Sequence, residues 1–529
     1  MSDVVEVLVI GAGPTGVLMA AEAVRHGLSC RIIDKGGSYA DRSRAVGIQA
    51  RTMEIFGHLN IAKNFLSQGI QIQAADPISH FQRLAQIPLS TLSSPYPFVL
   101  SLEQAKTEEI LAKYAATLGI RIEKGIECIQ LMQSAQEVEV VLQQLGKEER
   151  IKASWVIGCD GAHSQVRKQL GLAFEGKAFA DIFSLADVHI LWDYPHNEVS
   201  IFLNAKGFLA AIPLPEPNRY RLIFQLLRCR NLLKNHKNLP YGQVNTDLVK
   251  EPNLQEIENL LQEYAGQKIQ LINPIWMANF HINSRMTNTY QKGRVFLAGD
   301  AAHIHSPLGA QGMNTGLQDV FNLAWKLALV HKNKASSELL KTYDLERHRV
   351  GKTILRTTEY ASYMATVHNP IAIWFRNYML SFLSRFSFIR RSLARRISQT
   401  AICYPRSFIV VDKKHFQGPK AGLRAPNAPI LFKGKSSDLY TIWSGSTAFQ
   451  MLLFSDSERV DFLQHFRSEL INVIFITHSM DPTGEAYQIY AAKTSCVYII
   501  RPDGHIGYRS KRIDELEIET FFNSIFKSN

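Results

Sequence analysis

An apolar run at residues 4–10, then Gly11-Ala12-Gly13-Pro14-Thr15-Gly16, then an alanine-rich stretch to His26, constrain this chain more than any other feature. A short, mostly apolar run bounded by glycine reads as a buried strand, and the stretch after it has helical spacing. A second strand-like segment at residues 29–33 completes a strand-helix-strand unit. G-x-G-x-x-G at a strand-to-helix turn has a steric logic. Gly11 permits the tight turn, Gly13 lets backbone approach a pyrophosphate, and Gly16 lets helix and strand pack closely. Pro14 and Thr15 open the helix, whose free N–H groups and dipole favour an anion. Asp34, with Lys35 beside it, ends the second strand eighteen positions after Gly16, where a carboxylate accepts hydrogen bonds from ribose hydroxyls. The pattern predicts a dinucleotide site without separating NAD from FAD.

Two later runs narrow it. Cys159-Asp160-Gly161-Ala162-His163-Ser164, with Val166 and Arg167, follows a strand-like segment at 155–157, and Gly299-Asp300-Ala301-Ala302-His303 follows another at 294–297. Each sets an aspartate at a strand's end. The second continues through Ser306, Pro307, Gly309, Gln311, Gly312, Met313 and Asn314, a loop whose backbone donors suit a planar ring, into a helix with Asp319 and Trp325.

These elements predict an α/β chain. A Rossmann-like nucleotide-binding domain occupies residues 1–180 and 291–400, the latter ending in a helical region, with a mostly β domain inserted at 181–290. Residues 401–429, with the Gly/Pro-rich GPKAGLRAPNAP, are expected as a linker to a smaller α/β domain at 430–529.

The three runs, in this order, resemble the flavoprotein aromatic hydroxylases of the para-hydroxybenzoate hydroxylase type, whose signatures are a glycine fingerprint, a DG motif and a GD motif. The resemblance implies FAD held at Gly11, Gly13 and Gly16, its ribose at Asp34 and its ribityl chain at Asp300. Arg44 and Gln104 match flavin-contacting positions, Pro307, Gly309, Gly312, Met313 and Asn314 would surround the ring, and Asp160 and Arg167 would serve FAD and a transient NAD(P)H. The last 100 or so residues, through Tyr498-Ile499-Ile500-Arg501-Pro502-Asp503-Gly504, resemble the thioredoxin-like domain of the larger phenol hydroxylase and pentachlorophenol monooxygenase members. Lacking C-x-x-C, that domain cannot do dithiol chemistry; covering the body or forming a homodimer contact is its expected role.

The implied reaction is NADPH- or NADH-driven hydroxylation of an aromatic, phenolic or polycyclic, small molecule with O2 through a flavin C4a-hydroperoxide. Val46 stands where phenol hydroxylases carry an acid proposed as base, so Arg285, Tyr290 and His305 become the substrate-side candidates. Each also has a plainer reading, as ion-paired strand residue, core aromatic and loop-stabilising hydrogen-bonder. Epoxidation, Baeyer–Villiger insertion, antibiotic or polyketide oxygenation, or a flavin-binding partner without turnover are the alternatives. A single glycine fingerprint counts against a glutathione-reductase-like enzyme, and the lone Trp276 against a halogenase.

Other classes are disfavoured. Six scattered cysteines give no zinc, dithiol or disulfide pattern and point to a reducing, cytoplasmic compartment. His189 and His281 are expected as structural, Ser164 lacks a nucleophile elbow, and Tyr343, Glu346 and Arg347 are expected to pair along one helix. No signal peptide or transmembrane segment is read. The net charge of +12 is partly local: Arg385, Arg390, Arg391, Arg395 and Arg396 share a stretch with Phe382, Phe386, Phe388 and Ile389. A helix packing that apolar stripe on the core is expected there, ahead of nucleic-acid or membrane-surface binding.

Overall fold

The first apolar run forms the strand Val5–Ile10, with Val7, Leu8 and Val9 fully buried, as expected where a strand is covered on both faces. The computed structural model describes residues 4–36, 45–205, 207–226, 253–266, 269, 271–306, 309–413, 417–456 and 466–527, with backbone alone for 178–182, 273–276 and 280–282. Val5–Ile10 lies parallel to Cys30–Asp34 on one side and to Lys147–Gly158 on the other; Val295–Leu297 continues the parallel order beyond Lys147–Gly158, and Ile122–Lys124 beyond Cys30–Asp34. The register aligns Ile10 with Gly158 and with Ile33, and Gly158 with Leu297. The three motif-bearing strands therefore end at one edge. A crevice beyond the carboxyl ends of parallel strands is where open α/β sheets bind ligands. Helices Pro14–Arg25 and Gly312–His331 pack on this sheet.

A second, nine-stranded sheet is built on two 17-residue strands, Phe174–Ile190 and Leu271–Thr287, paired antiparallel. Its far side recruits Ala74–Ser79, which runs parallel to Glu198–Asn204, so this sheet draws strands from well before residue 181. Alternation splits the side chains between two faces. Ala186, Val188, Phe202, Leu209, Ala211 and Leu222 pack with the helix Leu254–Ala265, while Phe183, Leu185, Leu203, Phe208, Ala210 and Ile223 meet Ala365 and Leu380.

The C-terminal sheet has the order Val411–Asp412, Ile506–Ser510, Cys496–Ile500, Phe449–Phe454, Ile471–Ile476. Residues 401–429, expected as a linker, pack with the C-terminal unit: Val411–Asp412 is a strand of this sheet, Ala421, Ala425 and Ala428 are buried, and the Gly422 N–H donates to the Ile506 carbonyl at 2.7 Å.

The helix Glu338–Ala365 also corrects an expectation. Tyr343, Glu346 and Arg347 do not pair with one another. Tyr343 donates to the Leu297 carbonyl, Arg347 binds Asp319, and Glu346 accepts from Lys326 and Arg501. Arg501 also holds Asp503, which accepts from Asn322, while Arg51 donates to the Asp503 carbonyl. This wholly buried charge network joins the C-terminal sheet to the Gly312–His331 and Glu338–Ala365 helices. Burial pulls the Lys326 ammonium down to about 8; burial opposes ionisation of Glu346 too, yet Arg501 and Lys326 hold its carboxyl down at about 2.

The expected packing of the arginine-rich helices is overturned. In Pro370–Leu383 and Ser387–Ile397 the large aromatics point outward, and only Ile373, Arg376 and Ala394 are buried. No described helix is long and apolar enough to cross a membrane.

Candidate functional site

Gly11 turns at φ +103°, and a Cβ there would stand 2.4 Å from the Cys159 carbonyl oxygen. At Gly16 an added Cβ would meet the Gly11 carbonyl oxygen at 1.8 Å. Both glycines are sterically required, since backbone cannot give way as a side-chain tip can. Gly13 differs: an added Cβ meets nothing within 4 Å. It is the N-cap of Pro14–Arg25 with no side-chain cap, so helix N–H groups face open space there. Thr15 Oγ1 would touch a Cβ on Gly299 at 2.9 Å and on Gly316 at 2.4 Å. The fingerprint, the 159–164 run and the 299–303 run thus converge.

Asp34 Oδ2 accepts from the Ala12 N–H and Oδ1 from the Gly36 N–H, both at 2.6 Å. The carboxylate is held half-buried at the crevice edge with lone pairs to spare, and Lys35 is exposed. In the 299–303 run only Asp300 is exposed, its neighbours Gly299 and Ala301 being buried. The protein presents that one carboxylate outward. Gln104 opens the helix Gln104–Thr117; its Oε1 accepts from the Ala45 N–H and its Nε2 donates to Glu108. Arg44 and Pro307 lie outside the described residues, as does the side chain of His281.

Other expected residues also hold the local backbone. Asp160 accepts from Ser164 and from the Gln165 and Val166 N–H groups, capping the short helix Gln165–Gln169. Arg167 donates to the Ala162 and Ala301 carbonyls, tying the second run to the third. Asn314 is fully buried: its Oδ1 accepts from the Gln49 N–H and its Nδ2 donates to the Gly47 and Ala310 carbonyls. It shapes the 309–314 loop through backbone. Gly309 and Ala310 in that loop have φ of +85° and +51°, while Gly312 and Met313 are half-buried at the start of the next helix.

The substrate-side candidates separate. Tyr290 is fully buried in the main core beside His303, Tyr343 and His348, and burial pushes its hydroxyl well above the usual tyrosine range. Arg285 pairs by backbone with Ile304 and Gly176, two positions from the loop's start. His305 lies on the loop, its Nδ1 against the Ser306 carbonyl at 2.9 Å and its Nε2 buried without a hydrogen-bond partner among the described residues. An added Cβ on Gly312 would be 3.8 Å from that Nε2. Burial lowers the imidazole to about 4, so it is neutral at neutral pH. Val46 is buried, its carbonyl accepting from the Leu102 N–H.

Sequence reasoning missed the fixtures behind the loop. Asp319 takes the Gly299 N–H and His303 on one oxygen and Arg347 on the other; burial works against its ionisation, but Arg347 keeps it below its ordinary value. Gln399 donates to Gln311 and Thr315 and accepts from Gln318. Nothing local in the sequence marks Gln399. Among the described residues no cluster could hold a metal ion.

The chain resembles known proteins over most of its length. It is 32% identical over 404 residues to 6-methylpretetramide 4-monooxygenase of Streptomyces rimosus, covering 75% of this chain and 68% of that protein. It is 30% identical over 446 residues to pentachlorophenol 4-monooxygenase of Sphingobium chlorophenolicum, covering 82% and 77%. The solved structure of OxyS anhydrotetracycline hydroxylase from Streptomyces rimosus superposes with a TM-score of 0.79 at 25% identity, covering 99% of both chains. Residues 4–358, which contain all three converging runs, match the family described as FAD binding domain, and the chain belongs to that family.

Proposed function

We propose that this FAD-dependent monooxygenase hydroxylates a phenolic or polycyclic aromatic small molecule, with NAD(P)H and O2 as co-substrates. The observation that carries the reading is the open space at Gly13 in front of an uncapped helix N-terminus, where three strand ends converge. A diphosphate fits there, with Asp34 placed for ribose and the exposed Asp300 for the ribityl chain. When bound, FAD supplies the redox chemistry and the activation of O2.

The chain's own work is binding, orientation and exclusion of water. The apolar sheet face bearing Phe183, Leu185, Phe208 and Ile223, closed over by Ala365 and Leu380, backs the region in which the aromatic substrate would lie. Ala365 packs against that face, and Ser362, one turn earlier on the same helix, donates to Ser306 at 2.9 Å, so face and ring-binding loop meet. With Nδ1 against the Ser306 carbonyl, His305 Nε2 is left as the candidate acceptor for a substrate hydroxyl. A base whose conjugate acid sits at about 4 cannot keep a phenol's proton, so His305 orients the substrate and does not deprotonate it. Names of relatives that carry tetracycline-type and chlorophenol substrates support a ring-bearing substrate.

With one glycine fingerprint, NAD(P)H binds transiently and has no dedicated domain. We read the C-terminal unit as thioredoxin-like, a reading supported by Phe449–Phe454 pairing parallel with Ile471–Ile476 and antiparallel with Cys496–Ile500. Lacking a C-x-x-C, it acts as a brace through Arg501 and Asp503.

The test is a panel of phenols and polycyclic aromatics added to the FAD-loaded protein. A substrate accelerates NAD(P)H oxidation and yields a product heavier by one oxygen atom derived from O2. Oxidation that no aromatic accelerates, with only H2O2 formed, rules this function out.

A further inference from the structure

The helix Pro370–Leu383 is amphipathic the wrong way round. Its inner positions, at helical spacing, are Ile373, Arg376, Asn377 and Leu380: Arg376 donates to the Met364 carbonyl and Asn377 to Ser79, while Leu380 packs on the second sheet. Its outer positions are Ile371, Trp374, Phe375, Tyr378 and Phe382, with Trp374 64% and Ile371 78% exposed. Trp374, Tyr378 and Phe382 stack in a ladder, ring to ring at 5.7 and 6.1 Å, which continues to Phe386 and Phe388 at the start of the next helix. A helix that turns this much aromatic surface to water while pinning polar residues inward has a partner for its outer face.

Charge identifies that partner. Residues 349–400 hold nine arginines and lysines against one acid, Glu359, and so carry +8 of the chain's +12. Glu359 is already bonded to Ser284. Arg385, Arg391, Arg395 and Arg396 are exposed beside the ladder, and none of them has an acidic partner among the described residues. Helical spacing puts Arg349, Lys352, Arg356, Tyr360 and Tyr363 on one stripe of the preceding helix, all exposed. A second copy of the chain seated here would bring the two cationic surfaces together. Indole and phenol rings bordered by arginines match instead the interface of an anionic bilayer: rings enter the headgroup layer while guanidinium groups meet lipid phosphates.

We propose that the outer face of Pro370–Leu383 and Ser387–Ile397 docks the enzyme peripherally on an anionic lipid surface. The holoenzyme will co-sediment with vesicles of phosphatidylcholine and phosphatidylglycerol, and much less with phosphatidylcholine alone. Raising the salt to about 0.5 M will release most of it, because exposed charges are then screened. Replacing Arg391, Arg395 and Arg396 by glutamine will weaken binding roughly five-fold per arginine. Trp374→Ser with Tyr378→Ser will abolish binding at moderate salt. All these side chains are exposed, so retained FAD and unchanged thermal melting verify that each variant folds. Three results overturn the proposal: equal failure to bind both vesicle types, tighter binding to RNA than to vesicles, or a dimer by light scattering that the aromatic variants dissociate.

Discussion

Arg347 Nε donates to Asp319 Oδ1 at 2.7 Å with both side chains wholly excluded from solvent, and the other Asp319 oxygen takes the Gly299 N–H. A residue outside every motif thereby fixes the loop that presents Asp300. Arg347→Met leaves Asp319 buried and half-compensated, which costs about 3–5 kcal/mol. The expected outcome is a lower unfolding midpoint in denaturant together with faster loss of FAD. An unchanged midpoint would show that the pair holds nothing in place.

Gly13 and Gly16 should fail differently. Gly13→Val puts its branches into open space, so the chain folds but cannot admit the diphosphate. Gly16→Val collides with the Gly11 carbonyl and disrupts the fold itself. Circular dichroism and flavin absorbance of the two purified variants separate the cases: a folded, colourless Gly13→Val protein and a poorly folded Gly16→Val protein.

Asp300→Ala removes an exposed carboxylate and should leave the fold intact. Losing a charge-assisted hydrogen bond to a ribityl hydroxyl weakens FAD binding on the order of 10- to 100-fold. Titration of the apoprotein with FAD measures it directly, and native-like affinity would remove Asp300 from the site.

Acid should destabilise the protein earlier than carboxylates alone require. Burial lowers His26 and His58 to about 3, and His305 and His505 to about 4, from 6.5. The unfolded chain takes up protons below 6.5 that the native state refuses, so stability falls from there toward about 4. Glu346, held at about 2 against an ordinary 4.5, adds a further loss as pH falls from 4.5 toward 2. Denaturant midpoints should decline steadily below 6.5, and His58→Phe should flatten that decline. A midpoint constant down to 5 would contradict it.

Arg501→Met leaves Asp503 without its arginine and Glu346 with Lys326 as its one remaining cation in the interior beneath the C-terminal sheet. The same class of penalty, about 3–5 kcal/mol, applies. Limited proteolysis should then release the C-terminal unit first, and resistance equal to that of the unaltered protein would show that this network is no brace.

The parts legible in the sequence were those whose physics is local. Gly16 is dictated by a collision with the Gly11 carbonyl five residues earlier and Gly11 by the turn's positive φ, although the Cβ it excludes would also meet Cys159 on the neighbouring strand's end; the aspartates at strand ends follow from the same units. What escaped was set by distant partners. Asn314 binds Gly47 and Gln49, more than 260 positions away, and its packing position cannot be told from a ring contact by spacing. The strand Ala74–Ser79 joins the second sheet through pairing with Glu198–Asn204, which its own composition does not announce. The outward Phe382, Phe386 and Phe388 read as a core stripe because periodicity gives a face and not its direction.

Spectrophotometric titration of the purified chain with FAD tests the central claim most directly, that three separated runs close around one flavin. The account predicts yellow protein that binds one FAD per chain, with binding lost in Gly13→Val and weakened in Asp300→Ala. A chain that is folded, colourless and unable to take up added FAD would contradict it.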